Sequence, residues 1–219
     1  MASLVSSEQI NEFREQGVTV LKSVFSDWVD VLRKGVDANM ADPDPNARIY
    51  TGKDGGGRFF VDYCNWARIP EYREFIFGSD AAAIGAELMD SKKVQLFHEH
   101  VLVKEAATGV PTPWHQDAPY YCVDGAKTVS LWIPLDDVPR ETTPEFISGS
   151  HKWDKFYRPQ RFDGSALNEH DGLEDIPDIN GHRGDYDILG WAVGPGDAIA
   201  FDYRTIHGAP ANASKSNQR

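Results

Sequence analysis

The chain has 219 residues, of which 41% are hydrophobic and 11% aromatic, and it carries a formal net charge of −12. That length suits a single domain with its own core, the composition excludes a disordered chain, and the negative charge argues against nucleic acid, whose phosphates call for a positive footprint. No apolar run approaches the roughly 20 residues needed to cross a bilayer, and the start MASLVSSEQINEF lacks the basic-then-apolar pattern of a secretion signal, so a cytoplasmic protein without membrane contact is expected, with Cys64 and Cys122 reduced.

Residues 1–92 read as the helical part. Ser6 followed by Gln9 has the form of a capping box, Ile10 and Phe13 mark an apolar stripe, and Gly17 is a natural stop. Val18 to Leu21 reads as a short strand. Ser26 is placed to cap a second helix, on which Trp28, Leu32, Val36 and Met40 recur at every fourth position until Pro43 and Pro45 intervene. The glycine-rich stretch from Thr51 to Gly57 reads as a loop that follows no strand and opens no helix, which argues against a phosphate cradle. Pro70 can start a further helix and Gly78 can end it; Ala81 to Met89 reads as another.

From about residue 93 the texture changes. Segments 94–104, 127–135, 144–148 and 198–207 are short, rich in Val, Ile, Phe and Trp, and separated by Gly, Pro and Asp. That is a strand pattern. Helices first and strands later predict an α+β fold, with the N-terminal helices packed on one face of a β-sandwich or barrel spanning 93–219. The acidic, non-periodic stretch 152–187 is expected to be an insertion on the surface, of the kind that serves as a lid or binding loop.

The strongest chemical signal is Trp114-His115-Gln116-Asp117. In an extended chain residues two apart point the same way, so an imidazole and a carboxylate can reach one cation. A second histidine arrives far downstream in the run Ala198 to His207, launched by the turn Gly194-Pro195-Gly196-Asp197. Read as one strand, that run puts Ile199, Phe201, Tyr203, Thr205 and His207 on one face. Two histidines and one carboxylate on one side of a metal leave other positions open, the pattern of non-haem Fe(II) oxygenases. The same ligands suit a zinc hydrolase or a non-catalytic, cupin-like binding domain, and a histidine two residues before an aspartate is common in proteins that bind nothing there.

The spacing of several blocks narrows this. Glu99-His100-Val101-Leu102-Val103-Lys104-Glu105 leads into Pro111-Thr112-Pro113-Trp114-His115-Gln116-Asp117-Ala118-Pro119-Tyr120. Val129 to Asp136, Glu145 to Trp153, and Pro195-Gly196-Asp197 through His207-Gly208-Ala209-Pro210 follow in order. Together they resemble the phytanoyl-CoA dioxygenase-like family of Fe(II)/2-oxoglutarate-dependent oxygenases. The resemblance implies a double-stranded β-helix (jelly-roll, cupin-like) fold. It implies iron on His115, Asp117 and His207, with 2-oxoglutarate and O2 as co-substrates. It implies hydroxylation of a small-molecule metabolite with release of succinate and CO2. It also implies that a basic residue about twelve positions past His207 pairs with the far carboxylate of 2-oxoglutarate; Arg219 fits, and its planar fork suits a carboxylate. Family members usually continue past that arginine into another strand, whereas this sequence stops at it. Trp132 lies where the family often places an aromatic beside the co-substrate. Lys104 shares a strand face with His98, His100 and Leu102 and is placed to reach co-substrate or substrate. Gln116, Tyr120 and Tyr121 are candidates for the substrate pocket, and Gly149-Ser150-His151 reads as a structural turn. A carboxylate at 117 favours hydroxylation, or desaturation or ring formation by the same oxidant, over the halogenation of relatives that carry a small residue there. The acidic surface points weakly to a neutral or cationic metabolite.

Overall fold

At the N-terminus Ser6 Oγ accepts the Gln9 N–H (3.1 Å) while Gln9 Oε1 accepts the Ser6 N–H (3.0 Å), so the capping box forms as expected. It opens α1 (Ser7–Gln16), which Gly17 ends at φ 81°. The computed structural model describes residues 3–52, 56–162, 164, 165, 167, 172–212 and 214. Further elements are β1 (Val18–Leu21), α2 (Val29–Ala41), β2 (Arg48–Thr51), β3 (Arg58–Tyr63), α3 (Pro70–Gly78), α4 (Ala81–Leu88), β4 (His100–Lys104), β5 (Thr112–His115), β6 (Ser130–Trp132), β7 (Glu145–Ile147), β8 (Ile188–Leu189), β9 (Ala198–Phe201) and β10 (His207–Ala209).

The strands form three antiparallel sheets, in the orders β1-β9-β6, β5-β10-β7-β8 and β2-β3-β4. The first alternates cleanly. Val18, Ile199 and Phe201 turn inward onto Phe146 and Val193 between the first two sheets. Leu21, Ala198, Ala200 and Leu131 turn outward, where Phe13 of α1, Phe75 of α3 and Ile84 of α4 cover them. Each large apolar side chain so buried is worth roughly 2 kcal/mol, and a sheet covered on both faces carries no polar face. The third sheet is backed by α2 and α3 through Val36, Tyr72, Phe60, Val101 and Val103. Two open antiparallel sheets face to face, with helices on the outer face of one, are the jelly-roll arrangement that the sequence predicts.

Several expectations need correction. Among the described residues of 1–92, two strands that were not expected, β2 and β3, stand beside the helices and the expected β1. The glycine-rich stretch does follow a strand: it joins β2 to β3 as a hairpin. Ser26 caps no α-helix; Ser26–Trp28 is a 3-10 turn, and its hydroxyl donates to the Ser23 carbonyl. Residues 94–99 are not strand, and pairing begins at His100. The run 198–207 is two strands, not one. Asp202 Oδ1 accepts the Arg204 N–H (2.8 Å) and the Asp202 carbonyl accepts the Thr205 N–H (2.9 Å), making a turn that moves the chain from the first sheet to the second. The stretch 152–187 is only partly a surface excursion, because Tyr157 and Ile179 are buried in it and pack with Trp114, Ile147 and Ile206.

Candidate metal centre

His115 ends β5, and His207 opens β10 directly across from it in the antiparallel register. Asp117 lies just past the strand end, at the start of a 3-10 turn over Ala118–Tyr120. Its Oδ1 stands 3.6 Å from His115 Nε2 and 3.7 Å from His207 Nε2. One ligand atom from each of the three residues falls within 4.8 Å of the others. His207 reaches this place by a different route from the one expected. The 202–205 turn is tied to the α1–β1 junction, where the Gly17 carbonyl accepts both the Asp202 N–H (2.9 Å) and the Thr205 hydroxyl (2.9 Å). The Ile206 N–H then donates to Ser150 Oγ (2.8 Å), so Gly149-Ser150-His151 acts as a structural turn beneath the ligand strand. The His207 ring packs against Phe201 (4.6 Å between centroids) and stacks on Phe146 (5.7 Å, 17°).

The donor set fits a metal ion. His115 Nδ1 is 2.8 Å from the Pro113 carbonyl, and His207 Nδ1 is 2.9 Å from the Thr205 carbonyl. A carbonyl only accepts, so each Nδ1 carries the proton and each Nε2 offers its lone pair toward Asp117. Burial would raise the Asp117 carboxyl, but the imidazoles of His207 and His115 and the Ser130 hydroxyl hold it down at about 2. Burial, with His115 beside it, lowers His207 to about 4. At neutral pH His207 is thus a neutral imidazole and Asp117 a carboxylate, which is the ligand state a divalent cation requires. Nitrogen and oxygen donors without a thiolate suit Fe(II); Cys64 and Cys122 are both exposed elsewhere.

The other expected residues divide. Lys104 is half-buried on β4. Its Nζ donates to the Pro210 carbonyl (3.2 Å) and stands 5.0 Å from the centre of the Phe59 ring, with no carboxylate in ion-pair range among the described residues. Desolvation lowers it to about 8. Trp132 borders the interior cluster of Val18, Phe146 and Phe201, on the strand face it shares with Ser130. His98 lies near enough to Asp117 to feel its charge, and its Nδ1 is buried without a partner. Tyr120 sets its ring edge against His115 (5.7 Å, 84°), and its hydroxyl bridges the backbone of Gln160, donating to the carbonyl (2.5 Å) and accepting the N–H (2.7 Å). Gln116 does not have the role expected of it. It is buried; its amide donates to the Lys155 and Arg204 carbonyls (3.1 and 2.8 Å) and its oxygen accepts the Tyr157 N–H (3.1 Å). Strand alternation turns it away from the two ligands that flank it. Arg219 lies outside the described residues. Ser130 was not singled out from the sequence, yet its hydroxyl donates to Asp117 Oδ2 (3.1 Å); its parity with Trp132 was the available signal.

Comparison with known proteins agrees with this geometry. No curated protein sequence matches the chain. Among solved structures it is similar to the non-haem α-ketoglutarate-dependent carbocyclase SnoK from nogalamycin biosynthesis, with TM-score 0.75 and 21% identity over 98% of this chain and 81% of that one. It is similar to the epimerase SnoN in complex with Fe3+, α-ketoglutarate and nogalamycin RO (TM-score 0.73, 19% identity, 96% of this chain and 79% of that one). EctD from S. alaskensis in its apoform also matches (TM-score 0.72, 21% identity, 99% of this chain and 75% of that one). At such identities these likenesses establish the fold. No helix among the described residues is long and apolar enough to cross a membrane. The model of the phytanoyl-CoA dioxygenase family (PhyH) matches residues 13–219, and the chain belongs to that family of Fe(II)/2-oxoglutarate-dependent oxygenases.

Proposed function

We propose that this protein is a dioxygenase that hydroxylates a small-molecule metabolite, turning 2-oxoglutarate into succinate and CO2 as it does so. The observation that carries the reading is the convergence of His115, Asp117 and His207, each histidine fixed in the tautomer that frees Nε2. These three would hold iron; bound iron and 2-oxoglutarate supply the oxidising power that removes a hydrogen from the substrate. The rest falls to the protein's own residues. Ser130 orients the Asp117 carboxylate. Phe146 and Phe201 keep the His207 ring in place and dry. Lys104, a desolvated cation without a carboxylate partner among the described residues, supports a role in holding a carboxylate of 2-oxoglutarate, as does the spacing of Arg219. Trp132 and His98 are proposed to flank that co-substrate.

The test is succinate release from 2-oxoglutarate by protein loaded with Fe(II) under exclusion of oxygen and then exposed to it, with metabolite pools added and products followed by mass. Oxygen-dependent succinate together with a product one oxygen atom heavier is the expected result. A product lighter by two hydrogens would redirect the reading to desaturation or ring closure. Protein that binds Fe(II) but forms no succinate in any pool would leave a binding domain instead.

A further inference from the structure

Beside the metal centre, six rings form one wall. His98 meets Tyr121 edge-on (5.0 Å, 78°), Tyr121 meets Tyr203 (5.1 Å, 70°), Phe97 meets Tyr121 (5.0 Å), and Tyr63 meets His100 (5.7 Å, 77°). The wall borders the ligands: the Ala118 N–H donates to the Tyr203 carbonyl (2.9 Å), and the Asp117 charge reaches His98, His100, Tyr121 and Tyr203. Tyr63, Phe97 and the adjoining Leu102 remain 45%, 37% and 38% exposed, which is a large apolar surface to leave in water. His100 likewise keeps solvent contact although the surrounding protein holds its imidazole down to about 4. The exposed side chains of Tyr63, Phe97, His100 and Leu102 and the half-buried rings of His98, Tyr121 and Tyr203 together border a recess that opens to solvent beside Asp117. Of this wall only His98 enters the reading of the metal centre, as a neighbour of the co-substrate; Tyr63, Phe97, His100, Tyr121 and Tyr203 have no part in it.

We propose that this recess binds the primary substrate, and that the substrate is an uncharged, ring-bearing metabolite held by stacking on Tyr121 and Tyr203 and by one hydrogen bond from a hydroxyl or carbonyl group to His98. The inference rests on the oxygenase reading and adds the substrate class to it. Rings set at right angles offer faces and edges to a flat guest, the geometry aromatic contacts prefer. The buried, unpartnered Nδ1 of His98 marks where the guest supplies a polar atom. The pairing of the charged neighbours favours an uncharged guest. The guanidinium beside this wall, that of Arg204, is already paired with Asp202 (2.6 Å), and Lys104 is given to 2-oxoglutarate in the reading above. Glu99, between His98 and His100, has one carboxylate oxygen taken up by the Asn65 N–H.

Binding is measured by calorimetry on the Fe(II)- and 2-oxoglutarate-loaded protein without oxygen, and again on the metal-free protein. The probes are oestradiol and flavone (uncharged rings), acetylcholine (a cation) and octanoyl-CoA (an anion). At least one uncharged ring compound is expected to bind, to weaken at least tenfold in Tyr121→Ala, and to recover in Tyr121→Phe, which keeps the ring. His98→Ala is expected to weaken the same compound while circular dichroism stays native. Failure of both ring compounds, binding indifferent to Tyr121 and His98, or tighter binding of acetylcholine or octanoyl-CoA overturns the proposal. Succinate release is scored separately, so absent ring binding with intact 2-oxoglutarate turnover sinks this inference alone, whereas ring binding without any succinate release sinks the oxygenase reading and leaves the recess a binding site whose guest is no substrate.

Discussion

His115 and His207 meet across β5 and β10 with ring centroids 4.1 Å apart, whereas His98 and His100 stand in the run leading into β4 with centroids 6.1 Å apart. Burial lowers the imidazoles of His207, His98 and His100 alike, so desolvation does not separate the pairs. The backbone does. In the first pair each Nδ1 meets a carbonyl two residues earlier in its own chain, which sends both Nε2 atoms toward one carboxylate. In the second, His98 Nδ1 has no partner and the rings lean on phenols. A histidine is made a metal ligand by what fixes its far nitrogen, and made part of a pocket wall by the lack of it.

The comparison can be broken most directly by alanine at each pair. His207→Ala is expected to weaken Fe(II) binding by more than about 100-fold, beyond the range for losing an outer hydrogen bond, and to stop succinate release. His98→Ala is expected to change Fe(II) affinity by less than about 10-fold. Anaerobic Fe(II) titration measures both, and equal losses would erase the distinction between the pairs.

Acid provides the next largest effect. His207 titrates at about 4 in the folded protein against about 6.5 unfolded. The unfolded chain therefore takes up the proton first. Stability is fully present above the unfolded value and declines as pH falls toward 4, by up to about 3 kcal/mol for this group. His100, also at about 4, adds in the same direction. Asp117, held at about 2, begins to lose its contribution only below its ordinary value. Urea unfolding of metal-free protein from pH 7 to pH 4 is expected to show the decline, and His207→Asn to flatten it; a level profile would contradict the burial argument.

Ser130→Ala leaves the ligands in place but removes the hydroxyl from Asp117 Oδ2. Fe(II) affinity is expected to drop about 10- to 100-fold, while binding to the aromatic recess is unchanged. Smallest is Tyr120→Phe. It keeps the ring beside His115 and removes only the hydroxyl that bridges Gln160, at a cost of roughly 1 kcal/mol. Faster proteolytic nicking near residue 160 with unaltered Fe(II) affinity is the outcome to look for.

The helices and the closeness of His115 to Asp117 were legible because their signals are local. A capping pair, an N1 proline and alternate residues of a strand act over a few positions. The route to His207 was not legible, because the turn at Asp202-Tyr203-Arg204-Thr205 contains neither glycine nor proline. Its one cue is an aspartate accepting the N–H two residues on, a pattern that apolar alternation on both sides concealed. β2 and β3 were hidden by their own composition, with Arg48, Tyr50, Arg58 and Asp62 diluting the apolar run. Gln116 was misjudged because proximity in sequence to two ligands suggested proximity to the substrate, while the alternation used for the ligands themselves put it on the opposite side. Ser130 became visible only when β9 brought β6 into register beside it.

Gln116, between His115 at the end of β5 and Asp117 just past it, grips the backbone of Lys155, Tyr157 and Arg204. Anyone exchanging the 152–187 segment for that of a relative, in order to alter what the enzyme accepts, inherits this constraint. The new segment must present a carbonyl and an N–H at the same two positions, or the transplant will disturb His115 and Asp117 although it touches neither of them.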